Sequence, residues 1–163
     1  MADSQSNMVV VIGPTAIGKT RLAIQIAEQF SGEIINTDSR QVYQYMDIGT
    51  AKPSTSDRTR VPHHMIDINL PDNHFSLGEF IKLANVSIEQ ITERGNLPII
   101  CGGTGQYVWS IVEGWDVPNT LPNHEFRAAK LKEAEERGIY SLHDQLNLID
   151  PDRASEIDPR NVR

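Results

Sequence analysis

Cysteine is nearly absent from this sequence: Cys101 is the single one in 163 residues, so no internal disulfide framework can form and a reducing cytoplasm is the expected setting. Long apolar runs are missing too. None approaches the ~18–20 residues that cross a bilayer, and the polar start "MADSQSNM" has neither the basic end nor the apolar centre of a secretory leader. Positive charge is in short supply, with 15 Lys and Arg against 22 Asp and Glu and a net charge of −7. That balance weighs against nucleic acid as a partner held by overall charge, although a local basic stripe can still bind one. Repeats and low-complexity tracts are also absent. What remains is a chain of ordinary apolar content (39%) and charge (23%), long enough for one real core, hence a globular protein.

The pattern of elements is that of a parallel α/β core. Residues 8–12 form an unbroken β-branched run, expected to be a strand buried on both faces. Gly18 to Phe30 carries Leu22, Ala23, Ile26, Ala27 and Phe30 on one helical face, and Gly32 is expected to end that helix. A second strand follows at Glu33–Asn36, which completes a βαβ unit, and "HMIDIN" reads as a third. Ser76 with Glu79 is a capping box opening a helix through Phe80, Leu83, Ala84, Ile88 and Ile91 that stops at Gly95. Leu97–Cys101 is another buried strand, followed by a helix through Tyr107, Val108, Ile111 and Val112 that Gly114 closes. From Trp115 the character changes. A loop with two prolines leads to a charged helix over 124–137 and a shorter one in "SLHDQLNLID". The expected organisation is therefore an α/β core over 1–116 and a helical segment over 117–163. The last residues, "DPRNVR", close no element and read as the truncated end of a longer protein.

The chemistry begins between the first strand and the first helix. Gly13-Pro14-Thr15-Ala16-Ile17-Gly18-Lys19-Thr20 fits G-x-x-x-x-G-K-[ST], and its neighbours are the strand and helix that this loop requires. Backbone N–H groups and the positive end of a helix dipole make an anion site there. Lys19 brings a point charge to the outer phosphates and Thr20 a hydroxyl for Mg²⁺. The expected fold is a P-loop nucleoside-triphosphate-hydrolase-like parallel sheet with helices on both faces, followed by an α-helical insertion. The loop alone does not name a reaction, since kinases, hydrolases and others share it.

Asp38 follows the second strand and Thr104 the strand that ends at Cys101, so both are expected near the mouth of the phosphate loop, beyond the carboxyl ends of the strands. Asp38 is a candidate general base or a carboxylate behind a metal; the plainer reading is that Asp38 or Ser39 caps a helix in "RQVYQYM".

Five linked motifs carry a closer likeness. The phosphate loop, then Asp38-Ser39-Arg40-Gln41-Val42-Tyr43, Met46-Asp47-Ile48-Gly49-Thr50-Ala51-Lys52-Pro53, Pro62-His63-His64 and Gly102-Gly103-Thr104-Gly105-x-Tyr107 occur in order. Over residues 8–163 the sequence resembles the tRNA dimethylallyltransferase (isopentenyltransferase) family. The resemblance implies transfer of a dimethylallyl group from its diphosphate to the exocyclic amine of the adenosine beside the anticodon. It implies that residues 13–20, a loop often described as ATP-binding, hold the donor diphosphate with Mg²⁺. Asp38 would be the catalytic base, with Thr104 beside it. Asp38, Ser39, Arg40, Gln41 and Thr104 would contact the flipped adenosine and its neighbours in the tRNA anticodon loop, Arg127 and Arg163 would contact tRNA elsewhere, and a cytoplasmic monomer is expected.

The sequence departs from the family's pattern at Ile17, where serine is usual, at Gln106, where leucine is usual, and in length, since the family runs to about twice this chain. The chain alone is therefore expected to be poor at catalysis. The other readings of the same motifs are an AMP/ADP isopentenyltransferase, a small-molecule kinase, for which residues 118–150 offer no arginine-rich lid, and a non-catalytic binding fragment. Elsewhere the plain readings are favoured: His63 and His64 lack partners at metal-ligand spacing, Cys101 is a small core residue, Trp109 and Trp115 pack, and the "KLKEAEERG" run is a solvated helix face. Lys52 could reach a phosphate.

Overall fold

A computed structural model describes residues 7–116 and 123–161. Among these the elements run β1 (Val9–Ile12), α1 (Lys19–Phe30), β2 (Gly32–Asn36), α2 (Thr55–Arg60), β3 (His63–His64), α3 (Leu77–Glu93), β4 (Leu97–Gly102), α4 (Gly105–Val112), α5 (His124–Arg137), α6 (Ser141–Ile149) and α7 (Pro151–Glu156). The chain divides into two compact units, Met1–Pro118 and Asn119–Arg163.

The first unit is built on one parallel sheet of order β1-β4-β2-β3. The period of two along each strand sends alternate side chains to opposite faces. Ile34 and Ile99 join Val11 and Cys101 under Ala23, Ile24 and Ala27 of α1. Ile35 and Ile100 join Met65 on the other face, covered by Phe80, Ala84, Ile88 and Ile91 of α3 and by Tyr107, Val108 and Ile111 of α4. Helices thus cover both faces, as the sequence pattern implies. Phe80 stacks on Tyr107 with ring centroids 3.9 Å apart. The Ser76–Glu79 capping box forms at the start of α3, each partner taking the other's backbone N–H.

Several expectations need correction. β1 is an edge strand with Val10 and Ile12 exposed, so it is not buried on both faces. Leu22, Phe30, Leu83 and Val112 point outward, while Ile24 and Ile81 take inward places. Gly32 does not end α1. Ser31 does, at φ 52°, and Gly32 opens β2, where a Cβ would lie 2.6 Å from Ile99 Cδ1. The strand expected in "HMIDIN" is only His63–His64, because the backbone turns left-handed at Met65 (φ 63°) and Asp67 (φ 57°). Trp109 and Trp115 are exposed rather than packed. α2 was not foreseen, although Ser54 and Asp57 carry its capping box in the sequence.

Glu33 is a buried charge of this unit. It accepts from Arg94 Nε and Nη2 at 3.0 and 2.8 Å and from Asn96 Nδ2 at 2.8 Å, and it pairs with His64 Nε2 at 2.6 Å. One carboxylate so ties β2, β3 and the turn after α3 together, and it gives His64 a structural partner in place of a metal.

The second unit is α-helical and shallow. Ala134 and Ala154 are buried, whereas Phe126, Leu131, Leu148 and Ile149 are exposed. Polar links hold it: Lys130 donates to Glu133 and Gln145, and His143 Nε2 meets Ala154 O.

Two outcomes are expected. Gly102→Ala puts a Cβ 2.3 Å from Thr37 Oγ1 and 2.5 Å from its carbonyl carbon; urea unfolding should show a loss of about 3 kcal/mol or more, since backbone cannot step aside. Burial alone would raise the Glu33 carboxyl, but the bonds from Arg94, Asn96 and His64 and the Arg94 charge outweigh it and hold the carboxyl at about 2, below its ordinary 4.5. A depressed carboxyl stabilises fully above the unfolded value and loses this as pH falls from 4.5 toward 2. Stability measured across that window should drop by on the order of 3 kcal/mol more in the native chain than in Glu33→Gln.

Candidate active site

Three loops leave the carboxyl ends of neighbouring strands and meet. The phosphate loop leaves β1, Gly103-Thr104 leaves β4, and Thr37-Asp38-Ser39 leaves β2. β1 pairs with β4 through Ile12 and Gly102, and a Cβ on Gly103 would lie 3.8 Å from Gly13 O, so the first two loops touch. The second and third are bonded together. Thr37 N donates to Cys101 O at 2.9 Å, Thr104 N to Thr37 O at 3.1 Å, and Ser39 N to Thr104 Oγ1 at 3.0 Å. Thr104 Oγ1 in turn donates to Ser39 Oγ at 3.3 Å.

In the phosphate loop, Gly18 sits at φ 94°, a conformation that a side chain resists, and turns the chain into α1. Ala16 is left-handed as well, at φ 66°. The first turn of α1 carries no acidic residue and no side-chain cap, so its N–H groups face the loop's concavity without a competing carboxylate. Lys19 Nζ donates to Pro14 O at 2.6 Å, one exchangeable bond to the loop itself. Thr20 opens onto a cleft of about 720 Å³ shared with Arg21, Lys52, Asp57 and Arg60. Ile17 is exposed at the loop tip.

Asp38 is half-buried, and its Oδ1 accepts Arg40 N at 2.8 Å. It therefore braces a turn rather than capping a helix; residues 39–42 are not helical. Asn36 holds the same segment, with Nδ2 donating to Met65 O at 3.0 Å. Gln41 Nε2 donates to Thr50 O at 2.9 Å and so is committed to the chain that follows. The structure brings Asp38, Ser39, Arg40, Gln41 and Thr104 into one region beside residues 13–20. Arg127 lies exposed on α5 in the second unit, and Arg163 falls outside the described residues.

Two other groups are resolved by their surroundings. Burial pushes the Cys101 thiol up to about 11, against a smaller opposite pull from the Lys19 charge, so it stays protonated and is no nucleophile. The Tyr107 hydroxyl is also raised, by burial first and then by Tyr43 and the charges of Glu79 and Asp38.

Lys52, which the sequence offered as a residue that could reach a phosphate, is tied to its own chain. Its side chain is 2% exposed, and its ammonium donates to Tyr43 O, Asp47 Oδ1 and Asp67 Oδ1 at 2.8, 2.7 and 2.6 Å. An ammonium has three N–H groups, and all three are used. Asp67 is steadied in turn by Arg58 Nη1 at 2.6 Å. The "MDIGTAKP" motif shows which side chains are present, but their ion pairs depend on Asp67, fifteen residues further on. Among the described residues no group of three or more His, Cys, Asp or Glu could hold a metal ion, and no helix is long and apolar enough to cross a membrane.

Comparison with known proteins identifies relatives of the chain. Residues 41–163 match the family model described as IPP transferase. The tRNA dimethylallyltransferase of Roseiflexus sp. is 49% identical over 156 residues, which cover 96% of this chain and 51% of that protein. That of Chloroflexus aurantiacus is 48% identical over 156 residues, 96% of this chain and 53% of that one. Among solved structures, the full-length tRNA isopentenylpyrophosphate transferase from Bacillus halodurans superposes with a TM-score of 0.68 at 40% identity, covering 98% of this chain and 52% of that one. A eukaryotic dimethylallyltransferase acting on tRNA gives a TM-score of 0.79 at 29% identity, over 96% of this chain and 39% of that one. The chain spans about half the length of the curated relatives it matches. With a sheet that holds the phosphate loop against Asp38 and Thr104, and a family model matching three quarters of its length, the chain belongs to the IPP transferase family.

Proposed function

We propose that this chain carries the donor site and the catalytic base of a tRNA prenyl transferase, which moves a dimethylallyl group from its diphosphate to the exocyclic amine of an adenosine beside the anticodon. The observation that carries the reading is the bonded pair of loops that sets Asp38 and Thr104 next to the phosphate loop.

Residues 13–20 bind the donor's diphosphate through loop N–H groups, while Lys19 exchanges its single bond to Pro14 O for a phosphate oxygen. The donor set fits Mg²⁺: a hard hydroxyl at Thr20, with no carboxylate cage among the described residues, suits an ion that takes most of its ligands from water and phosphate. When bound, Mg²⁺ supplies positive charge to the leaving diphosphate. The adenine amine is a poor nucleophile because its lone pair is delocalised into the ring. Asp38 accepts a hydrogen bond from that amine and takes its proton as the new C–N bond forms, with Oδ1 steadied by Arg40 N–H. Ser39, Arg40, Gln41 and Thr104 border the adenosine, which must leave its stack to be reached. Arg127 and Arg163 are assigned to tRNA on the resemblance alone. A monomer working in the cytoplasm is the setting that fits.

The test is calorimetric titration with dimethylallyl diphosphate and with ATP, each with Mg²⁺, followed by transfer of labelled prenyl groups to tRNA. The prenyl diphosphate should bind more tightly than ATP, and Lys19→Ala should weaken it at least tenfold. Asp38→Asn should leave donor affinity within about twofold, while in the full-length protein it should lower transfer by 100-fold or more. Preference for ATP would turn the reading to a kinase, and unchanged transfer in Asp38→Asn would remove Asp38 as the base.

A further inference from the structure

Asn36 closes β2 two residues before Asp38, and only 4% of it is exposed. Its amide carries three bonds. Oδ1 accepts Asp38 N–H at 3.3 Å, while Nδ2 donates to Asp38 O at 3.3 Å and to Met65 O at 3.0 Å. A primary amide has two N–H donors, so both are used. The group also stands only one way round. Turned over, it would set its NH₂ against the Asp38 N–H and its oxygen against two carbonyls.

The two bonds to Asp38 have a geometric consequence. The N–H of Asp38 belongs to the peptide plane before its Cα, and the C=O to the plane after it. A side chain that holds both planes restrains φ and ψ of Asp38 together, and with them the direction of its Cα–Cβ bond. Beyond Cβ the carboxyl has only two torsions left, and the bond from Arg40 N–H to Oδ1 limits those. The Met65 bond anchors the amide in turn. Met65 is itself 4% exposed and packs in the core with Ile35, Phe80 and Ile100, so its carbonyl is a fixed point. The chain is left-handed there (φ 63°), and the carbonyl goes to Asn36 in place of a strand partner.

We infer that Asn36 is a positioning residue for prenyl transfer: it acts through Asp38, setting the line along which that carboxylate meets the attacking amine. This rests on the reading of Asp38 as the base. A catalytic group misplaced by about 1 Å loses on the order of 100-fold in rate, so a buried amide behind the base has leverage on turnover and none on donor binding.

The experiment is a double-mutant cycle in the full-length protein, read by transfer of labelled prenyl groups to tRNA, with donor affinity of each variant taken by calorimetry. Asn36→Ala should lower kcat about 30-fold and leave the donor Kd and the tRNA KM within about twofold. In the Asp38→Asn background the same substitution should cost no more than about twofold, because no base is left to aim. A role in folding alone gives the same loss in both backgrounds; that additive result overturns the assignment, as does an unchanged kcat in Asn36→Ala. Asn36→Ser supplies the rescue and serves in place of Asn36→Ala should the latter not fold. Its hydroxyl accepts from Asp38 N–H and donates to one carbonyl, so kcat should stay within about fivefold of native, with that loss again absent beside Asp38→Asn. A serine loss that persists undiminished in the Asp38→Asn background overturns the assignment too. Unchanged transfer in Asp38→Asn itself removes the base and this inference with it, whereas additive losses around a working base remove the role of Asn36 alone.

Discussion

The contact on which the rest of the site depends is the close approach of Thr37 to Gly102, at the carboxyl ends of two paired strands. A Cβ at position 102 would overlap Thr37 backbone and side chain together. Only hydrogen at that position lets the chain leaving β2 fold over the chain leaving β4. From that single allowance follow the Thr104 N–H bond to Thr37 O and the Ser39 N–H bond to Thr104 Oγ1. Asp38 lies between these anchors, with its Oδ1 bonded to Arg40 N–H. The base role proposed for Asp38 draws on this placement, because a loosely held base loses most of its effect to misorientation.

Two lysines show how environment separates chemistry within one residue type. Lys19 makes one bond, to a carbonyl of its own loop. Lys52 makes three, two of them to carboxylates, and is buried. In the proposed donor site, a phosphate oxygen takes the place of that first bond. Freeing Lys52 would leave Asp47 without its partner and Asp67 with Arg58 alone. The ammonium groups are chemically identical; the number of acceptors already satisfied distinguishes a ligand from a brace.

Much of this was readable before any coordinates, for identifiable reasons. The phosphate loop, the Ser76–Glu79 box and the helix at 124–137 are encoded within a few residues, so local pattern finds them. The proximity of Asp38 to Thr104 was legible only through the rule that sites gather beyond strand ends, because Ser39 and Thr104 are 65 residues apart. The failures are mostly non-local; α2, whose Ser54–Asp57 box lies within four residues, is the exception. "HMIDIN" alternates like a strand, but Asn36 takes the Met65 carbonyl and Lys52 and Arg58 take the Asp67 carboxylate, which fits a turn rather than a ladder. Gly32 looks like a helix stop until Ile99, from a strand 65 residues on, occupies the place of its missing Cβ. β1 has the composition of a central strand, and composition does not report which strand stands at the edge.

The two margins of the sheet are unequal. On one side β3 is two residues long and half covered, too short to template another chain. On the other, β1 offers four residues of valine and isoleucine with Val10 and Ile12 uncovered. Strands that present such a margin recruit whatever extended backbone they meet. Among the described residues, the β1 margin is therefore the side of the sheet on which a further strand has backbone to pair with.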